Sequence, residues 1–185
     1  MTARPPTKAS SASSSARPCS NVSAEDADDF IFGYTCVNDV TANDILNREW
    51  ARAKGFDGYG PFGPVITSGI DPASRMVRTI LNGAERQNYA ISDMIFSAQQ
   101  LVSKISHDMT LLPGDLIACG TSVGVGVMKE PVNTVTVAID GIGELTNEFR
   151  QQAALPETCG GHRSTSEKRH KPPLPANGDT HTRGL

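Results

Sequence analysis

Met94, Ile95, Ala98, Leu101, Val102 and Ile105 recur three and four positions apart, a spacing that predicts one amphipathic helix over Ser97 to Ser106. The rest of the pattern favours strands. Met76 to Leu81 and Glu85 to Ala90 flank Asn82-Gly83, the dipeptide that best suits a tight hairpin turn. Val132 to Ile139 matches Ile142 to Phe149 in length across Asp140-Gly141, and Ile31 to Val40 is rich in β-branched and aromatic residues. Pro113-Gly-Asp115 turns the chain into a strand at Leu116 to Cys119.

Two short helices are also expected. Ser23-Ala-Glu-Asp26 has capping-box spacing and precedes Ala27, Phe30 and Ile31, while Thr41-Ala-Asn-Asp44 leads through Ile45 and Leu46 to Trp50. Between Lys54 and Pro64 lies a loop with four glycines and two prolines, a composition that lets backbone approach a ligand closely. Strands outnumber helices, so the fold class is α+β and mainly β, with no internal repeat.

Both ends break the pattern. Residues 1–22 are a Ser/Ala/Pro mixture with little to bury, and residues 151–185 are rich in Pro, Gly, Thr and charge. Low-complexity, disordered termini are therefore expected around one domain at residues 23–150. A chain of 185 residues is long enough for such a domain to have a real core, and its 38% hydrophobic content is modest because the ends are polar.

A formal net charge of -3 provides no basic face for nucleic acid, and no apolar run reaches membrane-spanning length. Small molecules or other proteins are the expected partners. Cys19, Cys36, Cys119 and Cys159 are far apart and form no Cys-x-x-Cys pair, which fits reduced thiols in a cytoplasmic protein better than a zinc site or a disulfide framework. The N-terminus has no apolar h-region; its Arg and Ser content leaves a mitochondrial transit peptide as a minor alternative.

Three clusters could carry chemistry, and each has a plainer reading. Asp39 follows Asn38 at the end of an expected strand, where it could ligate a hard cation or simply cap the next turn. Lys54 opens the Gly-rich loop and could act as a base or enolate stabiliser if its neighbours lower its pKa, or it could be a solvated surface lysine. Gly120-Thr121, followed by Gly124-Val-Gly126, could offer amides and a hydroxyl to an anion or be a plain turn. His107 sits near a helix end, and the other three histidines lie in the C-terminal tail.

Read together, the motifs become specific. They are Gly33-Tyr-Thr-Cys-Val-Asn-Asp-Val-Thr-Ala42, Arg52-Ala-Lys-Gly-Phe-Asp57, Gly60-Pro-Phe-Gly-Pro64 and Asn82-Gly83, then Asp93-Met-Ile-Phe96, Met109-Thr-Leu-Leu-Pro-Gly-Asp115, Gly120-Thr121 and Gly141-Ile-Gly143. This ordered set resembles the C-terminal catalytic domain of the fumarylacetoacetate hydrolase family, which includes acylpyruvate hydrolases, oxaloacetate decarboxylases or tautomerases, and 2-hydroxyhepta-2,4-diene-1,7-dioate isomerases. The resemblance spans about 120 residues. It implies a mixed β-roll, a homodimer, Mg²⁺ or Mn²⁺ dependence, and an enolate formed from a small 2-oxo or 1,3-dioxo acid. By position it implies Asp39 as a metal ligand, Lys54 as the catalytic lysine, and Gly120 and Thr121 as the substrate-binding pair.

The departures from the family pattern concern the metal. The family carries a Glu-x-Glu pair roughly 25 to 30 residues before the position of Asp39, supplying two of three metal carboxylates. Here that position falls in the Ser/Ala tract, so Mg²⁺ or Mn²⁺ is expected to bind weakly. Asn43 replaces an arginine that would grip a carboxylate, the segment from Asp44 to Trp50 is short, Ser122 replaces a proline, and the upstream lid is missing. Truncation or a frame change is one reading: with one choice of codons for Thr7 to Ala16, the frame starting at the third base reads Glu-Gly-Glu-Leu-Gly-Val-Val-Ile-Gly. The alternative to an enzyme is a catalytically impaired member or fragment with a structural or dimerisation role, exposing a sheet edge where a strand is lost.

Overall fold

The computed structural model of the chain describes residues 6, 7 and 9–151. Two four-stranded sheets and one long helix dominate. In chain order the strands are β1 (Pro6–Thr7), β2 (Ala9–Ser15), β3 (Ile31–Asn38), β4 (Phe62–Thr67), β5 (Met76–Leu81), β6 (Ala84–Ala90), β7 (Leu116–Ala118), β8 (Gly126–Val127), β9 (Val132–Ile139) and β10 (Gly143–Arg150). The helices are α1 (Asn43–Leu46), α2 (Trp50–Lys54) and α3 (Ala98–Asp108), with three short 3₁₀ turns. One sheet has the order β10-β9-β5-β6, the other β4-β3-β2-β7, and β1 pairs with β8. The protein is thus mostly strand with few helices, as the hydrophobic pattern predicts.

The strongest local signals form the expected elements. Asn82 and Gly83 both take positive φ, 52° and 79°, the conformation a tight turn between right-twisted strands requires. Met76 pairs with Ala90 and Leu81 with Ala84 across it. Helix α3 begins at Ser97, whose hydroxyl accepts from the Gln100 amide while the Gln100 side chain accepts from the Ser97 amide, a reciprocal cap that satisfies two otherwise orphaned donors. Its Ala98 and Val102 are buried, and Val102 packs with Cys19, Val22, Ala27 and Leu111.

The main core lies where β3, β5, β6 and β9 supply Tyr34, Cys36, Val77, Tyr89, Val137 and Ile139, joined by Ile91, Ala98 and Ile142. A second cluster at the other end of the hairpin unites Val40, Leu81, Met128 and Val135. Gly33 has a packing reason: a Cβ there would sit 2.7 Å from the Thr67 carbonyl oxygen, so β3 and β4 approach this closely only with glycine.

Several expectations need correction. Ala9–Ser15, expected to be unstructured, is a strand paired with β3 on one side and with β7 on the other. A Ser/Ala sequence has weak strand preference, but two ladders of backbone hydrogen bonds supply what propensity lacks. The second sheet therefore retains a strand at the position thought lost, and that strand is internal rather than an edge. The single helix expected from Thr41 to Trp50 is two helices, because Glu49 leaves the helical region at φ -140° and ψ 75°. The turn after Ser23 becomes a 3₁₀ helix at Ala27–Phe30, and β3 ends at Asn38, two residues early. Residues 1–5, 8 and 152–185, including most of both expected tails, lie outside the described residues.

Candidate functional site

Strand β3 delivers Asp39 as it ends, and the short helix α2 delivers Lys54 at its C-terminus. The Ala42 amide bonds the Ala53 carbonyl at 2.8 Å, fastening the two segments to each other. The Lys54 ammonium then donates to Asp39 Oδ2 and, at 3.3 Å, to Thr41 Oγ1. It also lies 5.7 Å from the centre of the Trp50 ring, near enough for a cation–π contact. The two side chains are 26% and 23% exposed, so the pair is partly shielded yet open to a small solute. Of the two readings for each residue, neither the bare turn cap nor the freely solvated lysine describes this geometry.

Next to this pair the lining is polar and underused. Asn38 is fully buried, and both its Oδ1 and its Nδ2 lack a hydrogen-bond partner. An unsatisfied buried amide costs roughly 1–3 kcal/mol. Asn38 pairs in register with Ala9, and Val37 with Ser10, so the Ser/Ala tract is the strand directly beside the one leading to Asp39. The neighbouring polar positions persist while the tract facing them carries only small side chains.

The residues present do not fit a resident divalent ion. A hard cation of this kind draws on several oxygen ligands, commonly more than one carboxylate. Asp39 is engaged by Lys54, and among the described residues no group of three or more His, Cys, Asp or Glu could hold a metal. Glu25, Asp26, Asp28 and Asp29 belong to the turn around the 3₁₀ helix, where Asp29 faces Arg17 and Asp28 accepts from Gln99.

Gly120 and Thr121 are in a different neighbourhood. They line a cavity of about 540 Å³ with Tyr89, Met94, Phe96, Leu101 and Cys119, a largely apolar wall interrupted by the Thr121 hydroxyl. Gly120 takes φ 106°, a conformation that suits glycine. Burial pushes the Tyr89 phenol above the usual tyrosine range, while hydrogen bonds with Thr121 and the Ser122 backbone pull it the other way. The structure thus unites Asp39 with Lys54 and places Gly120 and Thr121 in a separate cavity.

Sequence reasoning missed Gln87. It is 3% exposed on β6, and its amide nitrogen donates to Thr121 Oγ1, Ser122 O and Val123 O at 2.9–3.1 Å. The only trace in the sequence was a glutamine one residue removed from a charged pair in an otherwise ordinary hairpin. Cys19, Cys36 and Cys119 are free thiols, in keeping with the expectation of no disulfide framework. Among the described residues no helix is long and apolar enough to cross a membrane.

Comparison with known proteins gives this arrangement a context. The oxaloacetate tautomerase YisK of Bacillus subtilis is 42% identical over 139 residues, covering 69% of this chain and 46% of its own length. The crystal structure of 2-hydroxyhepta-2,4-diene-1,7-dioate isomerase from Mycobacterium marinum superposes with a TM-score of 0.76 at 44% identity, covering 79% of this chain and 58% of that one. Maleylpyruvate hydrolase from Sphingobium sp. SYK-6, solved with manganese(II) and pyruvate, superposes with a TM-score of 0.70 at 30% identity over 77% of this chain and 53% of that one. The chain therefore spans about half the length of the relatives it matches. Isomerases, hydrolases and decarboxylases occur among these relatives. Residues 13–150 match the family described as Fumarylacetoacetate (FAA) hydrolase C-terminal, and the chain belongs to that family.

Proposed function

We propose that this chain carries the catalytic-domain scaffold of an enzyme for small 2-oxo or 1,3-dioxo acids, with its acid-binding groups kept and its metal centre incomplete. The observation that carries the reading is the Asp39–Lys54 pair beside a strand of serines and alanines. In a complete family site, a divalent ion supplies Lewis acidity to the enolate. Here Lys54 is the one charged group placed to stabilise negative charge or move a proton, and its ammonium is held by Asp39 instead of competing with a metal. Gly120 and Thr121 act as the carboxylate cradle, through the Thr121 hydroxyl and the loop amides.

Turnover in this form is low and recognition is retained. The test is a titration with oxalate, a compact mimic of a 2-oxo acid enolate. Millimolar binding is expected with or without Mg²⁺, weakened about ten-fold by Thr121→Val through loss of one charge-assisted hydrogen bond. Binding that requires Mg²⁺, or that ignores Thr121, contradicts the reading. Oxaloacetate supplied with Mg²⁺ is expected to tautomerise or decarboxylate no faster than in buffer.

A second reading rests on a separate observation. Strand β4 is a sheet edge, and it exposes Phe62, Val65 and Ile66, with Phe32 also exposed on adjoining β3. Exposed apolar residues on an edge strand favour pairing with another chain. A non-catalytic subunit, dimeric with itself or with an intact relative, uses that face. Light scattering at micromolar concentration distinguishes the forms: a dimer is expected, and a monodisperse monomer that ignores an intact relative excludes this role.

A further inference from the structure

The loop that carries Gly120 and Thr121 is held by a single buried side chain. Gln87 Nε2 faces three acceptors, Thr121 Oγ1 at 3.0 Å, Ser122 O at 2.9 Å and Val123 O at 3.1 Å. On its other side Gln87 Oε1 accepts from Thr79 Oγ1 at 3.0 Å, and Thr79 is its register partner across the β5–β6 hairpin. Thr79 is fully buried, which fixes the amide so that its nitrogen points at the loop. A second contact closes the same junction. A Cβ on Gly124 would come within 2.3 Å of the Arg86 carbonyl oxygen, so the loop lies against the β6 backbone next to Gln87.

We infer that Gln87 is a positioning residue that sets the Gly120–Val123 loop in the geometry needed to present Thr121 to an anionic substrate. This rests on the carboxylate-cradle reading of Gly120 and Thr121. Glutamine is the side chain the task requires: an NH₂ for two backbone carbonyls and a hydroxyl oxygen, and a carbonyl for Thr79. Because Gln87 donates to Thr121 Oγ1, the threonine directs its own proton elsewhere, toward the Tyr89 phenol oxygen or a bound carboxylate. Glutamate in its place would keep the shape and turn an oxygen toward the same acceptors, repelling the loop. Gln87 acts through Thr121 and needs no contact with the substrate.

The experiment compares the full chain with Gln87→Glu and with Thr79→Val, which removes only the bond that orients the amide. Amide hydrogen exchange by NMR is read at Thr121–Val123 and at Val77, Val135 and Val137, alongside the melting temperature and oxalate affinity. In Gln87→Glu, exchange at Thr121–Val123 is expected to quicken about ten-fold or more while the core strands keep their protection, and oxalate binding weakens about ten-fold. Thr79→Val moves both readouts the same way by less, and it decides the matter if the glutamate variant does not fold. Unchanged loop exchange, or protection lost equally throughout the sheet, overturns the inference. If the wild-type chain does not bind oxalate, the carboxylate reading falls while the exchange result still decides the loop clamp.

Discussion

Asp39 and Lys54 show how a residue's surroundings settle what spacing leaves open. Both are named by motif, but only the folded chain shows that each is the other's main partner, with Thr41 and Trp50 completing the shell. Asp39→Asn is expected to lower stability by about 1–2 kcal/mol, the scale of a partly shielded charged hydrogen bond, measurable as a lower urea midpoint. A variant as stable as the parent would mean that the pair contributes nothing. Tyr34 and Cys36 make a second residue-scale prediction. Burial pushes the Tyr34 phenol up to about 12 from 10 and the Cys36 thiol up to about 11 from 9. The folded values lie above the unfolded ones, so both groups favour the fold fully below pH 9 and lose that contribution as pH rises through 11 and 12. Stability is therefore expected to be flat from neutral pH to about 9 and to fall above it, and a midpoint that rises with alkaline pH would contradict this.

At the scale of elements, what could be read from sequence depended on whether a segment's own residues carry its reason for folding. The Asn82-Gly83 turn does, since both residues tolerate positive φ, and so does α3 with its reciprocal cap. Gly83→Ala places a Cβ at φ 79° and is expected to cost roughly 1 kcal/mol in a denaturation curve. Strand β2 is the opposite case. Its serines and alanines offer neither alternation nor strand preference, and its structure follows from β3 and β7, which lie more than a dozen residues away along the chain. The helix after Thr41 failed for a related reason: the break at Glu49 is a tertiary accommodation that capping patterns do not encode. Gln87 was illegible because a buried glutamine announces itself only through partners on another loop.

For the whole molecule, the family and the strand-rich fold were legible because ordered motifs extend along most of the domain, and residues 13–150 match it. The completeness of the site was not, because it depends on what strand β2 places beside the end of β3. The protein retains the scaffold, the Asp39–Lys54 pair and the Thr121 loop, while the tract next to Asn38 contributes no carboxylate. The DNA across codons 7 to 16 bears on the origin of that tract: if no permitted shift reads Glu-Gly-Glu, the frame-change explanation ends. Metal-dependent thermal stability tests the central claim itself most directly. With the chain as it stands, millimolar Mg²⁺ or Mn²⁺ is expected to leave the melting temperature unchanged, whereas Lys8→Glu with Ser10→Glu, the positions given by the shifted frame, is expected to raise it by several degrees, as ligand linkage requires of a completed site. A clear rise in the unaltered chain, or no rise in the double variant, would contradict the account of a family scaffold missing its metal carboxylates.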